Sequence, residues 1–165
     1  IVIPVYNEEA NLPELIRRTL AAAQALARPF EIILVDDGSR DQSCDMITRA
    51  AAAHPGAIVG VLLNRNYGQH AAVMAGLHQG RGEIVVTLDA DLQNPPEEIA
   101  KLIAKMDEGY DVVGSIRVPR RDSLFRRISS GLVNRITARV TGSRRFASAM
   151  RFISRRIMAE ISAGV

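Results

Sequence analysis

Five short runs of β-forming residues, each largely apolar on both faces, alternate with helical stretches along the first two-thirds of this 165-residue chain. The runs cover residues 1–5, 31–35, 58–63, 83–88 and 111–116, and Val and Ile dominate them. A strand with one wet face alternates apolar and polar residues; a strand apolar throughout is covered on both faces, as parallel strands are. Helical stretches fill the gaps at 11–27, 41–53, 69–79 and 95–108. In the first, Leu12, Leu15, Ile16, Leu20 and Ala23 recur at helical spacing, with Pro13 in the opening turn. Ser39 and Asp41 offer a cap region for the second. Pro95, Pro96, Glu97 and Glu98 suit the start of the fourth, which Gly109 stops. This repetition predicts an α/β fold: an open, Rossmann-like, mostly parallel sheet flanked by helices, with right-handed crossovers.

Charge divides the chain unevenly. Residues 1–114 hold 9 basic and 16 acidic side chains, a net −7, whereas residues 115–165 hold 12 arginines and two acids, a net +10. The basic third predicts an anionic partner: nucleic acid, anionic lipid or a phosphorylated substrate. A helix is expected at 123–140, where Leu124, Ile128, Leu132, Ile136 and Val140 recur every four residues with Arg135 and Arg139 on the flank of the stripe. The single cysteine, Cys44, excludes an internal disulfide framework and a Cys-rich zinc site. Three dispersed histidines make no metal site either, and His70 reads as a helix cap ahead of the alternative, a phosphate contact. No apolar run reaches the roughly 18–20 residues that span a bilayer. The chain opens at Ile1 inside an apolar run and reads as a piece of a longer protein.

In open α/β sheets ligands bind beyond the carboxyl ends of the strands. The residues just past each run are therefore the informative ones. Pro4, Tyr6, Asn7 and Glu8 close the first; Asp36, Asp37, Gly38 and Ser39 the second; Asn64 to His70 the third; Asp89, Ala90, Asp91 and Gln93 the fourth; Arg117 the fifth. Carboxylates at i and i+2 with an amide oxygen nearby can turn toward one hard divalent cation, Mg²⁺ or Mn²⁺. Alone, an Asp-x-Asp is more often a solvated turn; a place after a buried strand favours the cation. Asp36 and Asp37 read equally as turn chemistry or as acceptors for a nucleobase imide, and Tyr6 offers a flat stacking surface. Neither a Gly-x-x-x-x-Gly-Lys loop nor a Gly-x-Gly-x-x-Gly turn is present. A nucleotide here would be held through a metal rather than a glycine loop.

These strings, Ile3 to Glu9, Val35 to Ser39, Asn64 to Ala72 and Leu88 to Glu98, resemble the family 2 glycosyltransferases of GT-A fold. Within that family they are similar to the polyprenyl-phosphate branch, and most to its members handling 4-deoxy-4-formamido-L-arabinose; the glucosyl and mannosyl branches are the alternative. The resemblance covers residues 1 to about 140 and implies an inverting, metal-dependent transfer of a sugar from a UDP-sugar to undecaprenyl phosphate. It implies a core at 1–117 that binds the nucleotide sugar and a basic helical segment at 118–165 that faces acceptor and membrane. It implies Pro4, Tyr6, Asn7, Glu8, Asp37, Asn66 and Ala90 around the nucleotide, and Asp89, Asp91 and Gln93 around Mg²⁺ or Mn²⁺. Asp89, Asp91 and Arg117 would serve catalysis, with Arg126, Arg127 and Arg151 on the acceptor phosphate, since Arg pairs bidentately with phosphate. It implies the cytoplasmic face of a bacterial inner membrane, with C-terminal transmembrane helices beyond this chain. A homo-oligomer is compatible with all of this. In related enzymes an acid precedes the arginine matched by Arg151; here the stretch is Ser148, Ala149, Met150. That departure motivates a second reading, a nucleotide-sugar-binding module without turnover. A nucleic-acid-binding domain is disfavoured, because no Trp and few Phe or Tyr interleave the arginines.

Overall fold

The computed structural model describes residues 1–110 and 112–114, together with the backbone of 151–154. Apolar runs form the strands β1 (Val2–Val5), β2 (Ile32–Asp36), β3 (Ile58–Leu62) and β4 (Ile84–Thr87). Between them stand α1 (Leu12–Ala25), α2 (Ser43–Ala53) and α3 (Gln69–Gln79); after β4 come a 3₁₀ turn (Pro96–Glu98) and α4 (Ile99–Asp107). Each of these elements lies where the residue pattern puts it, with ends that differ by up to two residues, β2 being shifted by one to end at Asp36; the exception is 95–108, whose opening turn is tightened to 3₁₀. The Ser39 cap expectation fails: α2 starts after Gln42 with no side-chain cap, and the Ser39 hydroxyl accepts the Asn7 N–H instead. Asp41 does hold the start of the helix, accepting the Ser43 N–H at 3.0 Å.

The sheet order is β3-β2-β1-β4-β5, where β5 is Arg151–Ser154, and β1 to β4 are mutually parallel. The chain walks outward from β1 to β3, then crosses back over β2 and β1 to reach β4. Right-handed crossovers in opposite directions require helices on opposite faces. The core shows that alternation residue by residue. Ile3, Val5, Ile32 and Leu34 face Leu12 and Leu15 of α1 and Ile47 of α2. Val2, Ile33 and Val35 face Ala72 and Leu77 of α3. At Gly76 the α3 backbone lies so near the sheet that a Cβ would stand 2.5 Å from Val2 Cγ1 and 2.9 Å from Val35 Cγ2. The point where the walk reverses, between β1 and β4, is the switch point beside which such sheets bind ligands.

The fifth strand differs from expectation. Over residues 112–114 only an isolated bridge forms at Gly114, and the remainder of 111–116 lies outside the described residues. β5 is Arg151–Ser154, antiparallel to β4 with Thr87 opposite Arg151. The segment 118–165 thus contributes a strand to the sheet, and the sheet is mostly rather than wholly parallel. The helix expected at 123–140 lies outside the described residues. No helix among the described residues is long and apolar enough to cross a membrane.

Candidate functional site

At the carboxyl edge of the sheet, the loops after β1 and β2 are stitched together backbone to side chain. The Asn7 N–H donates to Ser39 Oγ at 3.0 Å, and the Arg40 N–H donates to Asn7 Oδ1 at 2.7 Å. The Glu8 N–H donates to Ser43 Oγ at 2.9 Å, and the Glu9 N–H to Asp41 Oδ2 at 3.1 Å. The Gln42 N–H returns the exchange onto Glu9 Oε2 at 2.9 Å. Asn7 holds φ 53°, a left-handed conformation that Asn tolerates better than most residues. The Glu8 carboxylate accepts Asn11 Nδ2 at 2.7 Å, at the start of α1. Asn7 and Glu8, expected at a nucleotide, thus also build the loop that would present Tyr6. Tyr6 itself is 40% exposed just past β1, and Pro4 is half-buried opposite Val35.

Asp36 and Asp37 are both buried at the end of β2. Asp36 accepts the Ser39 N–H, a turn contact. Asp37 reaches the loop after β3: its Oδ1 accepts the Tyr67 N–H at 2.8 Å and its Oδ2 the Gly68 N–H at 2.9 Å. Each carboxylate oxygen keeps a second lone pair, so a base contact would add to this anchoring role. Asn66 lies in the same loop, with its backbone pressed on Gly38. Tyr67 is exposed, with its hydroxyl on Asn64 Oδ1 at 2.9 Å and the Arg65 guanidinium 4.7 Å from its ring centre.

Past β4, Leu88 and Ala90 are buried while Asp89 and Asp91 are half-buried. The chain has left the sheet here and turns at Ala90 and Asp91, past the carboxyl end of β4. Asp89 Oδ1 accepts Gln69 Nε2 at 2.8 Å, and its Oδ2 stands 3.5 Å from Asn94 Nδ2. Asp91 Oδ1 accepts the Gln93 N–H at 3.0 Å, while the Gln93 side chain is exposed. Leu92, between them, holds φ 57° and packs its side chain against the core cluster under α1. A left-handed Leu costs about 1–2 kcal/mol, which that burial offsets, and the kink lets Asp91 and Gln93 close a tight turn. Among the described residues no three His, Cys, Asp or Glu side chains gather into a ready-made metal cage.

The structure thus brings Tyr6, Asp37 and Asn66 to one side of the switch point and Asp89, Asp91 and Gln93 to the other. Arg151 opens β5 opposite Thr87, at the same edge. Arg117, Arg126, Arg127 and Ala149 lie outside the described residues. The motifs give no role to the partners of Asp89. Asn94 and Gln69 each sit in a strand-end string, but nothing in the sequence marks either as a partner of Asp89, and Gln69 lies 20 residues upstream. A cavity of about 560 Å³ at the opposite edge of the sheet, lined by Leu26, Phe30, Ile33 and Ile103 among others, involves none of these residues.

The profile of "Glycosyl transferase family 2" matches residues 1–159. Undecaprenyl-phosphate 4-deoxy-4-formamido-L-arabinose transferase of Pseudomonas paraeruginosa is 63% identical over 142 residues, covering 86% of this chain and 42% of that protein. Its namesake from Klebsiella pneumoniae is 59% identical over the same length, covering 86% and 43%. The chain therefore spans about two-fifths of the length of the curated relatives it matches. In three dimensions it is similar to glucosyl-3-phosphoglycerate synthase from Mycobacterium tuberculosis, solved with Mn²⁺, UDP and glucosyl-3-phosphoglycerate. The TM-score there is 0.62 at 22% identity, covering 94% of this chain and 56% of that one, a likeness of fold. With the GT-A sheet, its switch point and a profile match over nearly the whole sequence all in agreement, the chain belongs to glycosyl transferase family 2.

Proposed function

We infer that this chain carries the donor-binding part of an inverting glycosyltransferase that moves a sugar from a UDP-sugar to undecaprenyl phosphate. The sugar is 4-deoxy-4-formamido-L-arabinose, the reading supported by relatives of that name at 59–63% identity. The observation that carries the chemistry is the pair Asp89 and Asp91 at the end of β4, across the switch point from Tyr6 and Asp37.

The donor set suits a divalent cation. Two carboxylates and an amide are all hard oxygen donors. Mg²⁺ and Mn²⁺ are commonly held by one or two carboxylates, with substrate phosphates and water completing the shell. Asp89, Asp91 and Gln93 would hold the cation, which when bound neutralises charge on the departing diphosphate. Tyr6 would stack on the uracil, with Asp37 and the Asn66 loop at its edge. The acceptor is a phosphate already anionic near neutral pH, so its oxygen can attack the anomeric carbon without a strong general base. The new C–O bond forms as the bond to UDP breaks on the opposite face, and the electron pair leaves with UDP. Arg117, Arg126, Arg127 and Arg151 would bind the acceptor phosphate, supported by the +10 charge of the C-terminal third. Undecaprenyl phosphate is a membrane lipid, so the reaction belongs at a membrane surface, which this reading takes to be the cytoplasmic face of the inner membrane.

Calorimetric titration of UDP in the presence of Mn²⁺ tests the site. Asp91→Ala should weaken binding at least about tenfold, the usual scale for disturbing a metal site; equal affinity would remove the metal assignment. A labelled UDP-sugar incubated with polyprenyl phosphate tests transfer. Lipid-linked product is expected, and UDP–Mn²⁺ binding without product would leave a binding module.

A further inference from the structure

Asp89 lies at the heart of the proposed site, and the shorter of the two amide contacts on its carboxylate comes from a distant part of the chain. Gln69 is the first residue of α3, at the other end of the crossover, and its side chain donates to Asp89 Oδ1 at 2.8 Å. An ionised carboxylate only accepts, so the amide nitrogen is the atom that must face it. Gln69 is itself held from behind. The two N–H groups immediately before it, those of Tyr67 and Gly68, both end on the buried carboxylate of Asp37. The same loop sits on Gly38 with no room for a side chain, since a Cβ there would lie 2.4 Å from the Arg65 carbonyl carbon. One rigid path therefore runs from the end of β2, through the loop after β3, to the carboxylate at the end of β4.

The residue type matters. Arg or Lys at this place would orient Asp89 but cancel the charge that attracts a cation; Met would leave the charge and remove the 2.8 Å amide. A neutral amide donor orients the carboxylate and leaves its charge intact. The geometry points to Gln69 as the positioning residue for Asp89, set by the Asp37-anchored loop so that Asp89 and Asp91 converge on one divalent cation. This role rests on the proposed function, in which those two carboxylates hold the cation.

The test uses the full chain, with Mn²⁺ binding followed by electron paramagnetic resonance of the free ion in the presence of saturating UDP. Gln69→Met, similar in shape without a donor, should bind Mn²⁺ about 10- to 100-fold more weakly, the scale found for partners of metal ligands. Gln69→Asn keeps the amide one methylene short of Asp89 and should lose affinity comparably. Both changes are at an exposed position, so thermal midpoints should move by no more than a few degrees; a purely structural role would shift the midpoint and spare the affinity of the folded protein. Mn²⁺ affinity within threefold of the unaltered chain in either folded variant overturns the assignment, provided Asp91→Ala still loses the ion. If Asp91→Ala also keeps it, the metal reading itself falls and takes this role with it.

Discussion

Gly38 meets two demands at once, and they separate cleanly from each other. Its φ of 66° is a conformation that side chains disfavour, and its missing Cβ leaves room for the backbone of Arg65 and Asn66 at 2.4–2.7 Å. Gly56 shares the first demand alone, with φ 83° and nothing within 4 Å of a built Cβ. Gly56→Ala should therefore cost only the conformational term, about 1 kcal/mol. Gly38→Ala adds steric overlap and should cost about 1–3 kcal/mol more, read as the difference between urea midpoints at unchanged slope. The displaced loop should also weaken UDP–Mn²⁺ binding in Gly38→Ala and leave Gly56→Ala unaffected. The turn role of Gly38 was legible from its neighbours Asp36, Asp37 and Ser39. Its closeness to Arg65 was not, because the two positions are 27 residues apart in sequence and only the β2–β3 pairing joins them.

Among the elements, α1 and the turn that follows it are tied to the segment after β4 by two arginine forks. Arg18 donates to both oxygens of Glu97 at 2.7 and 2.8 Å, at the 3₁₀ turn, and Arg28 to both of Asp107 at 2.7 and 3.1 Å, at the end of α4. The Arg18 hydrogen bonds hold Glu97 well below its ordinary 4.5, at about 2. A depressed carboxyl stabilises the fold above its unfolded value and loses that stabilisation as pH falls through its folded value. The gap in thermal midpoint between the unaltered chain and Arg18→Met should thus be full above about pH 4.5 and close toward pH 2. Glu97 is about half exposed, so the gap is small and shrinks further in salt. The four parallel strands and their helices were legible because runs of Val and Ile covered on both faces have few alternatives. β5 was not: residues 111–116 have the better strand composition, and Arg-Phe-Ile-Ser at an edge has little signal beside them. Pairing to β4 outweighed propensity.

Over the whole molecule, hydrogen bonding is uneven across the sheet. β2 is registered with β1 over four residue pairs and with β3 over five, whereas β1 and β4 share the single pair Val2 and Thr87, with the Leu88 N–H on the Val2 carbonyl at 3.0 Å. Amide hydrogen exchange should therefore be slowest in β2, and the Leu88 amide should exchange well before those of Ile33 to Val35. Equal protection at Leu88 and Leu34 would show that α3 closes the seam. The placing of ligand-bearing residues was legible at this scale, since strand ends in such sheets share one edge; the Gln69–Asp89 bond was not, since it exists only once α3 has crossed back beneath the sheet.

That thin seam has a consequence for how such a molecule can diversify. With one registered backbone pair there, side chains do most of the joining: Leu88, Ala90 and Leu92 pack into the cluster under α1, and Arg18 and Arg28 grip Glu97 and Asp107. Changes on the far side that spare those packed and paired positions can then accumulate with little disturbance of the near side. A lineage could exchange one sugar for another by rewriting exposed positions beyond Asn94, inheriting its nucleotide grip unaltered.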